Sequence, residues 1–276
     1  MSAATRPAET SPAVRAQVRF TDLLRSEWTK LRSLPSVRWT LLAMVAFSTT
    51  VTLLVTSGDD SAYGNLSPED KLAWDPTALS LNSFFLAQLC ISVLGILVVT
   101  SEYATGTIRT SLSAMPRRGL LLAAKTSVFA VVALVAGQVT SFVTFLAGQA
   151  MLGRHDGTPT AALSDPGVLA AVFGTGLYLA AIGLLAVAVG TLTRATAGGL
   201  AVQVGITLLV PALGGALPSW AQKAFAYWPS LGGPEVRTLH PTPEYPDAWT
   251  NLAGMTAGIA VVLAIAFVVF RRREVG

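Results

Sequence analysis

The chain has 276 residues, of which 52% are hydrophobic and only 12% charged, and its mean hydropathy is +0.58. A soluble domain carries about 25% charged residues to wet its surface, so an ordinary soluble fold is excluded, as are a disordered chain and a collagen-like repeat. A single cysteine, Cys90, excludes an intrachain disulfide scaffold and reads as a small hydrophobe within an apolar run.

Residues 1–14 (MSAATRPAETSPAV) are small, polar and proline-containing, and lack the apolar area that offsets ordering entropy, so a disordered tail is expected. Over 15–36, Phe20, Leu23, Leu24, Trp28, Leu31 and Leu34 recur at three- and four-residue steps, while Arg19, Arg25, Lys30 and Arg32 fall largely off that stripe. This predicts an amphipathic helix with Phe20, Leu24, Trp28 and Leu31 in the membrane interface, or packed on a soluble partner. Residues 37–276 hold six charge-free runs, each reaching or exceeding the roughly 20 residues that cross a bilayer core as a helix. The expected fold is all-α, with spans at about 39–56, 76–100, 120–152, 166–191, 197–216 and 250–270.

Within that plan, Asp75-Pro76 and Asp165-Pro166 read as N-cap acids followed by a proline at the first helical position of spans 2 and 4. Span 5 is interrupted by Pro211 and then Gly214-Gly215. The segment after it carries Trp220, Phe225, Tyr227 and Trp228, an interfacial-belt composition expected to re-enter or lie on the outer leaflet. In span 6, Gly254 and Gly258 permit close helix contact, within the bundle or between subunits.

If the N-terminus is cytoplasmic and the spans alternate, 15 of the 19 Lys and Arg residues fall inside and 10 of the 15 acidic residues outside. Positive charge resists translocation, so both termini are expected in the cytoplasm of a multi-pass plasma-membrane protein. The pI near 9.5 then reflects headgroup anchors rather than nucleic-acid binding.

Several chemistries are missing. Gly148 and Gly153 have the spacing of a phosphate loop, but Arg154 and His155 stand where Lys and Ser or Thr belong, at the outer end of a span. His155 and His240 are far apart and external, so no metal or cofactor site is expected, and no catalytic triad can be placed. No ionisable residue lies deep in a span, which leaves no titrating group for ion-driven transport. The neutral residues Asn82, Gln88, Ser92, Gln138, Ser141, Thr144, Gln149 and Gln203 serve packing or line a pathway.

One loop stands out, reading Ser101-Glu102-Tyr103-Ala104-Thr105-Gly106-Thr107-Ile108-Arg109 and closing on Pro116-Arg117-Arg118. Glu102 sits at the negative end of a helix dipole, which disfavours a carboxylate unless a cation is close. Arg109, reached across a turn at Gly106, is the local choice, as a loop-stabilising ion pair or with an added role in partner contact. Thr107 to Met115 is expected to form a short cytoplasmic helix.

This loop, after span 2 of a six-span chain, resembles the permease subunit of ABC type-2 exporters in its actinobacterial form. The opening Leu24-Arg25-Ser26-Glu27-Trp28-Thr29-Lys30-Leu31-Arg32-Ser33 and the closing Phe270-Arg271-Arg272-Arg273-Glu274-Val275 share the resemblance. It implies a homodimeric or heterodimeric permease, itself no enzyme, bound to separate cytosolic ABC ATPase subunits that carry the ATP. It also implies that Glu102, Tyr103, Gly106, Thr107, Ile108 and Arg109 belong to a coupling helix, that the N-terminal amphipathic segment is a connecting helix, and that the segment after span 5 is re-entrant. The competing expectations are a non-transport membrane scaffold or accessory protein, or a membrane enzyme. The transported substrate is not legible.

Overall fold

In the computed structural model, which describes residues 19–108, 118–154, 156–213, 218, 227–231, 233–240 and 247–272, every regular element among the described residues is helical. The first helix, α1 (Phe20–Ser33), ends at an extended Leu34 because Pro35 disfavours the helical conformation of the residue before it; Pro35 then opens α2 (Pro35–Asn65). Two short helices follow, α3 (Pro68–Leu72), capped by the Ser67 hydroxyl, and α4 (Pro76–Ser80), capped by the Asp75 carboxylate at 2.9 Å from the Ala78 amide.

Span 2 is therefore not one helix from Pro76, as the sequence suggested. The chain turns at residues 81–83 and restarts as α5 (Phe84–Ala104). Asp75 is the expected N-cap, but of a separate five-residue helix. The parallel reading of span 4 is also corrected. Helix α7 (Val168–Thr193) is preceded by Gly167 in the left-handed region (φ 85°), and the Asp165 carboxylate instead accepts a bond from the Ala162 amide at 2.7 Å in the preceding turn. Between them, α6 (Arg118–Leu152) is the longest helix among the described residues, at 35 residues.

Five helices (α2, α5, α6, α7 and the last, α9, Ala248–Arg272) are long and apolar enough to cross a membrane. The segment expected as span 5 is shorter: α8 (Thr196–Ala212) contains a π-helical stretch at Gly205–Leu209 and stops one residue after Pro211. Pro211 brings no N–H to the ladder, and the Val210 amide reaches back to the Gly205 carbonyl. The Ile206 carbonyl thus lacks both the Val210 donor and the next one. It takes the Trp228 indole N–H at 2.7 Å, which ties the segment after α8 to that helix.

Helix α7 is the axis of the bundle: 78% of its most apolar stretch is buried, against 22% for α2 and for α9. Glycines set its distances to its neighbours. A Cβ on Gly95 of α5 would lie 2.6 Å from the Gly183 carbonyl oxygen, and one on Gly137 of α6 the same distance from the Gly176 carbonyl oxygen, so both helices lie backbone to backbone on α7. Around these crossings Met44, Ile91, Phe129, Tyr178 and Ile182 fill the main core. The neutral polar residues bond across helices: the Tyr178 hydroxyl donates to Gln88 (2.7 Å), Gln203 to Ser92 (3.2 Å), Gln138 to the Phe173 carbonyl (3.0 Å) and Ser141 to the Val172 carbonyl (2.5 Å).

Helix α1 lies within the expected 15–36 segment, between an extended Arg19 and an extended Leu34, and its apolar stripe divides. Leu23 and Leu31 are buried against the bundle, Leu24 is half-buried and packs against the Leu23–Ala124 cluster, and Phe20 and Trp28 face outward, Trp28 being 48% exposed. At the far end of the molecule, residues 233–239 close over α4, α5 and α7. Asp75 accepts from the Thr238 hydroxyl (2.7 Å) and the Leu239 amide (2.6 Å), and Arg237 donates to the Ala78 carbonyl (3.0 Å) while lying over the Phe84 ring.

Candidate functional site: a buried ring of four charges

Where α1 crosses the C-terminal end of α5 and the N-terminal end of α6, four charged side chains meet. Lys30 Nζ lies 2.6 Å from Glu27 Oε1 and 3.0 Å from Glu102 Oε1, and Lys125 Nζ lies 2.8 Å from Glu27 Oε2 and 2.9 Å from Glu102 Oε1. Charge alternates around a closed ring whose four members come from three helices. Glu27, Glu102 and Lys125 are buried, whereas the Lys30 side chain is 44% exposed. Burying such groups is costly unless each is paired and hydrogen-bonded. The ring supplies the pairing, leaving one orphan: Glu102 Oε2 is buried and has no hydrogen-bond partner among the described residues. Burial alone would lower the pKa of the Lys30 ammonium, but its bonds to Glu27 and Glu102 outweigh burial and hold it above the ordinary lysine value.

The cation that Glu102 requires at its unfavourable helix end is thus Lys125, with Lys30 beside it. Arg109, the partner expected from the sequence, lies outside the described residues. Three members, Glu27, Lys30 and Lys125, were not among the expected site residues, and the two buried ones carried a signal. Glu27 stands four residues from both Leu23 and Leu31, in the middle of the buried stripe of α1, where an unpaired carboxylate would be untenable. Lys125 sits among the buried residues Leu121, Leu122, Ala124 and Val128.

The other expected loop residues lie directly beyond the ring. Gly106 adopts φ +71°, the left-handed conformation that the proposed turn needs, and Thr107 bonds the Thr105 hydroxyl at 2.8 Å. Ile108 is buried against Tyr103, Leu122 and Phe270, which seats the chain at this residue on the ends of α5, α6 and α9. The Arg194 guanidinium, in the turn between α7 and α8, stacks over the Tyr103 ring at 5.6 Å. All these contacts gather at one end of the bundle, which also holds Arg271 of α9 beside Gly119. The glycines of α9 stand elsewhere and differ: a Cβ on Gly254 would meet the Tyr227 ring, whereas Gly258 faces open space.

Long apolar helices around a glycine-spaced axis define a polytopic helical membrane protein. A family model described as ABC-2 family transporter protein matches residues 23–210, from within α1 to the last turn of α8, and the chain belongs to that family. No curated protein matches it.

Proposed function

We propose that the chain is the membrane-spanning permease subunit of an ATP-driven exporter, acting as a dimer and powered by a separate cytosolic ATPase. The end that carries the charge ring faces the cytoplasm in this reading. The concentration of Lys and Arg at that end supports the orientation, since basic segments resist translocation. The observation that carries the coupling role is the closed ring itself. It locks α1, α5 and α6 into one unit directly beneath the Gly106 turn, so a force on the segment after Gly106 reaches three helices at once rather than bending one. A bundle that must be driven from outside needs such a stiff point of entry.

Two variants test this. In Gly106→Val the added Cβ meets no atom within 4 Å, so the cost expected is that of the left-handed backbone, about 1–3 kcal/mol. Glu102→Gln removes the charge shared by both lysines. The expected result is normal membrane abundance, loss of a co-purifying P-loop ATPase or of its substrate-stimulated hydrolysis, and loss of export from inverted vesicles. Wild-type chain purified from native membranes without any ATPase would favour a non-transport scaffold instead.

A further inference from the structure

Residues three and four apart share a face of a helix, and α1 has three such faces. Leu23, Glu27 and Leu31 form the buried one. Of the two exposed faces, one carries Asp22, Ser26, Thr29 and Ser33, and the other Thr21, Arg25, Trp28 and Arg32. They differ in what they ask of their surroundings. On the first, the Ser26, Thr29 and Ser33 hydroxyls donate back to the carbonyls of Leu23, Arg25 and Lys30, and Asp22 accepts from the Arg19 amide, so the segment satisfies these polar groups itself. On the second, neither Arg25 nor Arg32 makes a salt bridge among the described residues, and the outward-facing Trp28 lies one turn from each. An indole between two unpaired guanidiniums fits a surface that is apolar below and anionic above. The indole settles at headgroup level, the arginine stems lie along apolar surface while their heads reach outward, and a planar guanidinium matches the oxygens of a phosphate. The position of α1 supplies such a surface. It ends at Leu34, and α2, long and apolar enough to cross a membrane, begins at Pro35 with Arg38 and the 71% exposed Trp39 near its start. Helix α1 therefore departs at the height where a span enters the bilayer.

We propose that the Arg25–Trp28–Arg32 face of α1 binds anionic phospholipid of the adjoining leaflet in preference to zwitterionic lipid. Exposed charge over residues 19–39 is one-sided, with Arg19, Arg25, Lys30, Arg32 and Arg38 set against Asp22. Cations near a negatively charged leaflet are attracted to it, and a zwitterionic headgroup of no net charge does not supply that attraction. Glu27 and Lys30 of the same helix belong to the charge ring, so lipid bound to the outer face holds α1 against the bundle from the side opposite the ring's own contacts. The inference rests on the membrane reading of this end and is independent of the ATPase reading, because binding is measured on this chain alone.

The test uses the full chain in vesicles, with Trp39, Trp74, Trp220, Trp228 and Trp249 replaced by phenylalanine so that Trp28 is the one fluorophore. Quenching by brominated phosphatidylglycerol in plain phosphatidylcholine is compared with quenching by brominated phosphatidylcholine in plain phosphatidylglycerol. The relative association constant at Trp28 should favour phosphatidylglycerol by at least about fivefold, the factor that one cation near an anionic leaflet supplies. In Arg25→Gln/Arg32→Gln the preference should disappear with the emission maximum unchanged, whereas Arg25→Lys/Arg32→Lys should keep most of it. Should the five replacements disturb folding, photoactivatable phosphatidylglycerol on the wild-type chain gives the same readout. Crosslinks are then expected within residues 20–33, and plain phosphatidylglycerol should compete them away at least about fivefold better than phosphatidylcholine. Equal association of the two lipids, or a preference that survives the double glutamine variant, would overturn the proposal. So would the absence of quenching by either lipid, which places Trp28 against water or a soluble partner. Loss of ATPase retention in other variants leaves this readout unchanged.

Discussion

Lys125 is the residue on which the ring depends most, since it is buried and bridges two carboxylates that no other buried cation reaches among the described residues. Lys125→Met leaves Glu27 and Glu102 with Lys30 alone, an uncompensated buried negative charge. Breaking a buried pair in this way costs about 3–5 kcal/mol, and thermal unfolding in detergent should show a loss of that order. Adding Glu102→Gln should restore part of it, because the charge that was stranded is now gone, so the double variant should be less damaged than the sum of the singles. Lys30 behaves differently with pH. Its folded pKa is raised, so its contribution is complete below the unfolded lysine value of about 10.4 and is lost only as pH climbs through the higher folded one. The stability difference between wild type and Lys30→Met should therefore stay flat from pH 6 to pH 9; a difference that falls within that window contradicts the raised pKa. Of this site, the need of Glu102 for a cation was legible, because a helix dipole is a local property. The identity of the cation was not: Lys125 lies 23 residues on, and Lys30 lies 72 residues back.

Among the helices, the glycines of α7 do more to set the architecture than its larger residues. Gly176, Gly183 and Gly190 recur every seventh residue, which keeps them close to one another around the helix, and each has a neighbour at the distance of a missing methyl group: Gln138, Ile91 and the Ile96 backbone. Gly95→Val would push α5 off this axis because its Cβ meets backbone that cannot yield, and overpacking of this kind costs about 1–3 kcal/mol. Gly258→Ala, facing open space, should change stability by no more than about 0.5 kcal/mol. The paired unfolding temperatures test the packing assignment directly. The seven-residue glycine spacing was not singled out in the sequence, whereas the Gly254 and Gly258 pair was, as a place for close helix contact within the bundle or between subunits. Within the chain, Gly254 packs on Tyr227 and Gly258 faces open space. Motif spacing identifies a smooth helix face without saying what covers it. The break between α4 and α5 was hidden for a related reason: residues 76–100 are charge-free throughout, and charge spacing does not register a turn whose backbone groups are satisfied locally.

Across the whole molecule, polar closure at the two ends brackets an apolar middle. One end is held by the charge ring and the other by Asp75, which caps α4 and at the same time takes the Thr238 and Leu239 donors from a segment more than 160 residues away. Asp75→Ala should cost about 0.5–2 kcal/mol as a lost cap, and should in addition speed hydrogen exchange at the Leu239 amide. Asp165→Ala, at the position that looked equivalent in the sequence, removes only an exposed turn bond and should leave exchange at Leu239 unchanged. Fold class, membrane character and most helix positions were legible because they follow from the scarcity and spacing of charge. The joining of distant segments at each end was not, since it is a property of the assembled tertiary structure.

The carbonyl of Ile206, freed where Pro211 interrupts the ladder, has one more consequence. Because it accepts the Trp228 indole N–H, the placement of residues 227–231 against α8 is coupled to the ring environment of one tryptophan. A fluorine atom on that indole would make this contact a spectroscopic clock for the opening of the segment, readable in a molecule whose other motions are hidden by lipid.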